Sequence, residues 1–162
     1  AEFVPKCYSL NLSDEELQRR GLPQNYIDLH RHFSQGNPRI THLFGDSRSF
    51  DFTPYEGKSD LVFIDGDHHF DSVVEDTRTA FRLVSEKGII VWHDYSNSPE
   101  STRWNVAHAI WKGCPDEKKA GLRAISHTLC AAYLPFEIKS SERIYPRNPG
   151  KGYEITIRKS EA

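Results

Sequence analysis

The sequence predicts an α/β fold, a three-layer sheet that is mostly parallel. Three observations carry this expectation. Leu61–Ile64 and Ile89–Trp92 are short unbroken apolar runs, as expected of parallel strands buried on both faces. Between them Val73, Val74, Thr77, Ala80, Phe81 and Val84 recur at helical spacing, which makes the segment a strand–helix–strand unit. At the far end Tyr153–Arg158 alternates apolar and polar residues, as an edge or near-edge strand does.

Taken in order, the other elements complete an alternation of strands and helices. Phe3–Leu10 reads as a short strand interrupted by Pro5. Ser13 with Glu16 forms a helix-start signal for a polar helix over Glu15–Arg20, ended by Gly21 and Pro23. A second helix is expected over Gln24–Phe33 and a strand over Ile40–Phe44, closed by Gly45-Asp46-Ser47. Ser49–Lys58 is a loop, and Ser72 with Glu75 suggests a second capping box. Gly88 suits a left-handed helix C-cap before the strand Ile89–Trp92. After a polar loop over Ser96–Ser101 come a helix over Trp104–Trp111, a strand over Ile125–Tyr133 and an irregular excursion over Pro135–Gly152. Crossovers should be right-handed.

With 162 residues the chain is one domain with no internal boundary, large enough for a real core. Hydrophobic residues make up 37% and charged residues 27%, a soluble composition. The formal charge of −2 gives no basic signature for nucleic acid, and no apolar run approaches a membrane span. Three cysteines without metal-type spacing fit reduced thiols, so a cytoplasmic location is expected. Cys130, in an apolar run, reads as a small core residue.

The chemistry gathers where the two central strands end. Asp65, Asp67, His68 and His69 follow the first, and His93 and Asp94 follow the second. Ligands of open α/β sheets bind beyond the carboxyl ends of the strands, so both clusters should line one crevice. Two neighbouring carboxylates repel unless a cation or proton is shared, so Asp65 and Asp94 are candidate ligands for Mg²⁺. His93 beside them would favour a softer divalent metal. The alternative is a solvated rim, with Asp71 and Asp76 only favouring a helix start. His68, His69 or His93 could serve as a general base. Asp46 could accept a hydrogen bond from an exocyclic amine and Ser47 could bond a ring nitrogen, although a plain Gly-Asp turn explains the same residues. No G-x-G-x-x-G follows a strand, and neither a Walker-type loop nor G-x-S-x-G occurs.

Read together, Gly45-Asp46-Ser47, Phe63-Ile64-Asp65-Gly66-Asp67-His68, Asp76-Thr77 and Lys87–Tyr95 (KGIIVWHDY) resemble the class I S-adenosylmethionine-dependent methyltransferases. They are most similar to a bacterial branch with FIDG-x-H and WHDY motifs. The resemblance runs from about residue 6 to the end and implies a Rossmann-like methyltransferase sheet with a C-terminal antiparallel strand. It implies S-adenosylmethionine as cofactor, with Asn11 at the ribose, Gly45, Asp46 and Ser47 at adenine, and Asp65 and Gly66 near the methionine end. In metal-dependent relatives the positions of Asp65, His93 and Asp94 bind Mg²⁺. The catalytic candidates are His68, His93 and Asp94. The family's first strand, glycine-rich loop and first helix would precede residue 6, so the expectation is an N-terminally truncated chain.

The activity this implies is methyl transfer to a hydroxyl of a small molecule or sugar, without nucleic acid or membrane as partner. A homo-oligomer is a further expectation, because a partner chain could pair an unmatched strand edge. Two other readings stand beside it. One is a degenerate methyltransferase-like domain that only binds. The other is a metal-dependent phosphoesterase built on Asp65-Gly66-Asp67-His68-His69.

Overall fold

The computed structural model of the chain describes residues 4–98 and 101–137. The predicted strand Tyr153–Arg158 and most of the excursion before it lie outside the described residues. The first unit pairs β1 (Cys7–Asn11) with β2 (Ile40–Phe44) in parallel, Cys7 opposite Ile40 and Asn11 opposite Phe44. Between them run two short helices, α1 (Asp14–Arg19) and α2 (Gln24–Leu29). Ser13 caps α1 as predicted, its hydroxyl accepting from the Glu16 amide at 3.3 Å.

The second unit carries the core. β3 (Ser59–Ile64) leads into α3 (Phe70–Leu83), which returns directly into β4 (Val84–Trp92), parallel to β3. A hairpin of β5 (Ser96–Ser98) and β6 (Ser101–Thr102) precedes α4 (Trp104–Gly113). β7 (Leu122–Ala124) and β8 (Ala131–Tyr133) then add antiparallel strands, giving the order β3-β4-β8-β7. The long pairings are therefore parallel and the closing ones antiparallel, in a mixed α/β fold of Rossmann-like type. Among the described residues no strand joins β1-β2 to the four-stranded sheet.

Strand alternation decides which residues meet the helices. Val62, Ile64, Ile90 and Trp92 face α3 and α4 and pack with Val73, Val74, Ala80, Val106 and Ile110. Trp92 is fully buried, and its indole N–H donates to Thr77 Oγ1 at 3.0 Å, so neither polar atom is left unmet. α4 comes close to α3 because Gly113 has no side chain. A Cβ there would lie 2.7 Å from Thr77 Cβ and from the Val74 carbonyl.

Several expectations change. Leu61 and Phe63 point to the opposite face and are 60% and 55% exposed, so the continuous apolar run is not buried on both sides by the described residues. Gly88 is not a helix cap. It lies within β4, where a Cβ would sit 2.6 Å from the Ser59 carbonyl, so the close approach of β3 excludes any side chain. The cap of α3 is His69, and the Ser72 hydroxyl bonds Asp67 instead of forming a capping box. Of the predicted strand Ile125–Tyr133 only Ala131–Tyr133 is β8; its first part is the turn, with His127 at φ 60°, that joins β7 to β8. Cys130 beside that turn is only half-buried, whereas Cys114 is buried. α2 stops at Leu29, and Arg31 (φ 79°) breaks the helix expected to reach Phe33.

Candidate functional site

β3 and β4 are parallel and in register, with Ile64 opposite Trp92. The next residues of both strands therefore emerge side by side. The His93 amide donates to the Ile64 carbonyl at 2.9 Å, which fixes His93 next to Asp65. Its Nδ1 lies 3.2 Å from Asp65 Oδ1 and 3.1 Å from Asp94 Oδ2. His68, carried on the turn after β3, places Nε2 2.9 Å from the same Asp94 oxygen. Asp94 holds this central position with a left-handed backbone, φ 55°, a conformation uncommon outside glycine that aspartate tolerates better than most residues.

The contacts set the ring chemistry. A carboxylate only accepts, so His68 must carry its hydrogen on Nε2 and His93 on Nδ1 toward Asp94. In the neutral rings the basic atoms are then His68 Nδ1 and His93 Nε2. Arg103 completes the group from beyond the β5–β6 hairpin, with Nη1 3.5 Å from Asp94 Oδ1. Its position is fixed by its own amide, which donates to the Tyr95 carbonyl at 2.9 Å. No motif in the sequence marks Arg103.

His69 is separate from this group. Its Nδ1 lies 2.5 Å from Asp67 Oδ1, while Ser72 donates to Asp67 Oδ2 at 2.7 Å. Partial burial works against ionisation of Asp67, but the Ser72 and His69 hydrogen bonds outweigh it and hold the carboxyl at about 2. This pair fastens the start of α3 and points away from a role for His69 as base.

The ligand atoms of Asp65, His68 and Asp94 all lie within 4.8 Å of one another, a donor set that suits a divalent cation. The expected trio had His93 in place of His68. In the structure His93 Nδ1 instead lies within hydrogen-bond distance of both carboxylates.

The second group lies at the ends of β1 and β2. The Gly45 amide donates to the Asn11 carbonyl at 3.0 Å, and Asn11 Nδ2 donates to Ser9 Oγ at 2.8 Å. Asn11, Gly45, Asp46 and Ser47 therefore share one edge. The Asp46 carboxylate is already engaged. Oδ1 accepts from the Arg48 amide at 3.0 Å, and Oδ2 lies 3.1 Å from Arg48 Nη2 and 3.4 Å from Arg20 Nη2. The Arg48 hydrogen bonds, with a smaller contribution from Arg20, hold its carboxyl at about 2.

Asp76 links the two groups, which its reading as a helix-start charge did not foresee. It lies in the second turn of α3, hydrogen-bonded to the Ser47 side chain. A Cβ on Gly66 would sit 3.4 Å from its Oδ2. Burial pushes the Asp76 carboxyl above its ordinary range, opposed by the Ser47 hydrogen bond. One half-buried side chain thus bonds the turn after β2 and lies close to the turn after β3.

Among the described residues no helix is long and apolar enough to cross a membrane. No curated protein matches the chain. The family model described as a methyltransferase domain matches residues 5–95, over half of the sequence, from just before β1 through Tyr95. The match takes in both strand-end groups and all their members except Arg103, and on it the chain belongs to the methyltransferase-domain family.

Proposed function

We propose that the crevice transfers a methyl group from S-adenosylmethionine to a hydroxyl of a small molecule or sugar. The observation that carries this reading is the His68–Asp94 pair at 2.9 Å, beside the turn of Asp65 and Gly66. The cofactor supplies an electrophilic methyl group. On this reading Asn11 binds the ribose, Asp46 and Ser47 bind adenine, and Asp65 and Gly66 flank the methionine end. His68 Nδ1 takes the hydroxyl proton, while Asp94 orients the ring and stabilises its protonated form. Alignment of acceptor and donor supplies much of the rate in such a displacement. A divalent cation held by Asp65, His68 and Asp94 would instead lower the cost of deprotonating the acceptor. A neutral imidazole has one free ring nitrogen, so His68 either holds the ion or takes the proton; we assign the proton to His68 in the metal-free site, where Arg103 faces Asp94.

The test follows transfer of a tritiated methyl group from the cofactor to a panel of hydroxylated acceptors. The Asp94→Ala protein should lose transfer by about 10²-fold or more, the scale of general-base catalysis. Normal transfer by that variant contradicts the assignment. A chelator in the same assay separates the routes, since the histidine route keeps its rate without a metal.

A second reading has one observation in its favour. Arg20 and Arg48 already occupy the Asp46 carboxylate, as in a domain that binds a partner and no longer holds adenine. In that case neither S-adenosylmethionine nor S-adenosylhomocysteine gives heat in a calorimeter.

A further inference from the structure

We propose that Arg103 is the built-in counter-ion of Asp94, a positioning residue that takes the place of a divalent metal at the ends of β3 and β4. The inference rests on the methyl-transfer reading for what the site does, while the counter-ion itself is read by metal binding alone. Hairpin register puts the side chain there. Ser96 of β5 pairs with Thr102 of β6, so the next residues away from the turn, Tyr95 and Arg103, come side by side. The Arg103 amide donates to the Tyr95 carbonyl at 2.9 Å, and Nη1 lies 3.5 Å from Asp94 Oδ1. The arginine side chain is only 24% exposed. Nothing in the helix it precedes calls for it. Arg103 is the N-cap residue of α4 yet makes no side-chain cap, and the first turn holds no acidic residue. The positive end of a helix disfavours a cation, so Asp94 is the carboxylate that compensates this one.

The donor atoms of Asp65, His68 and Asp94 suit a divalent ion by type and spacing, but they already have partners. Asp94 Oδ2 faces His68 Nε2 and His93 Nδ1, its Oδ1 faces Arg103, and Asp65 Oδ1 lies 3.2 Å from His93 Nδ1. An ion that bound Asp94 would have to displace these donors. Charge acts in the same direction. Asp65 and Asp94 bring two negative charges, and Arg103 returns one. A divalent ion would leave this group with a positive excess, beside a guanidinium that repels it. Arginine stays protonated at every working pH, so the competition with a metal is permanent. A lysine at position 103 would keep that charge, whereas a glutamine would keep hydrogen-bonding capacity without it.

The test titrates Mn²⁺ alone into the full chain, first stripped of metal with a chelator, and reads the free ion by electron paramagnetic resonance. Circular dichroism checks that each variant is folded. The unsubstituted protein and Arg103→Lys should half-saturate only above about 1 mM. Arg103→Gln should bind Mn²⁺ about tenfold tighter or more, and adding Asp94→Asn to it should remove the gain. Arg103→Ala serves as the second charge-removing variant. The proposal is overturned if neither charge-removing variant gains affinity, if Arg103→Lys gains as much as Arg103→Gln, or if the gain survives Asp94→Asn. Half-saturation of the unsubstituted protein well below about 1 mM overturns it without any variant. Calorimetry with S-adenosylhomocysteine keeps the two readings apart. Tight Mn²⁺ binding by an unsubstituted protein that also binds S-adenosylhomocysteine defeats only the counter-ion. The expected Mn²⁺ series without S-adenosylhomocysteine binding upholds the counter-ion and defeats the methyl-transfer reading.

Discussion

Asp94 gathers more of the chemistry than any neighbour, and it does so as the last residue of the Trp92-His93-Asp94 bend, with a left-handed backbone in which most residues would be strained. Two imidazoles and one guanidinium converge on its two oxygens. Asp46 plays a comparable part in the other group, and its depressed carboxyl has a consequence for pH. A carboxyl held at about 2 when folded, against an ordinary value near 4, stabilises the fold fully above about pH 4. That contribution fades as pH falls through 2. Asp46→Asn should therefore lower the unfolding temperature at pH 7, and the gap to the unsubstituted protein should shrink by pH 3. A gap that stays constant contradicts the ion pairs with Arg48 and Arg20. In the core, Thr77→Val leaves the Trp92 indole N–H buried without an acceptor, at a cost of about 1–3 kcal/mol in denaturant unfolding. The same change at an exposed threonine such as Thr53 should cost far less.

Elements bring these residues together through register and close contact. His93 sits beside Asp65 because β3 and β4 are parallel and in step, and that much was legible from two apolar runs each ending in acid and histidine. The helix between them and the cap at Ser13 were legible for the same reason, since local patterns specify local structure. Arg103 was not legible. It reaches Asp94 through the β5–β6 hairpin, whose polar residues resemble any loop. The role of Asp76 was hidden because its partner Ser47 is distant in sequence. Gly88 showed how a glycine signal can mislead, since a close β3 contact and a helix cap call for the same residue. Two glycine substitutions test this packing. Gly113→Ala and Gly88→Ala should each destabilise by about 1–3 kcal/mol, as overpacked sites do, measured by urea unfolding. Unchanged stability in Gly113→Ala would mean that α3 and α4 are not held in contact.

Across the molecule, Asp76 lies between the turns that follow two parallel pairs of strands. The family match covers this whole arrangement. The β1–β2 end carries the groups we assign to the ribose and adenine of the donor, and the β3–β4 end carries Asp65 and Gly66 at its methionine end together with the groups we assign to the acceptor. This division predicts separable losses. Damage at Asp94 should spare donor binding, and damage at Asp46 should not. Calorimetry of the full chain with S-adenosylhomocysteine tests the division most directly. The account predicts saturable binding that Asp94→Ala leaves within about threefold and Asp46→Ala weakens by about tenfold or more. Absence of binding in the unsubstituted protein, or an equal loss in both variants, would contradict it.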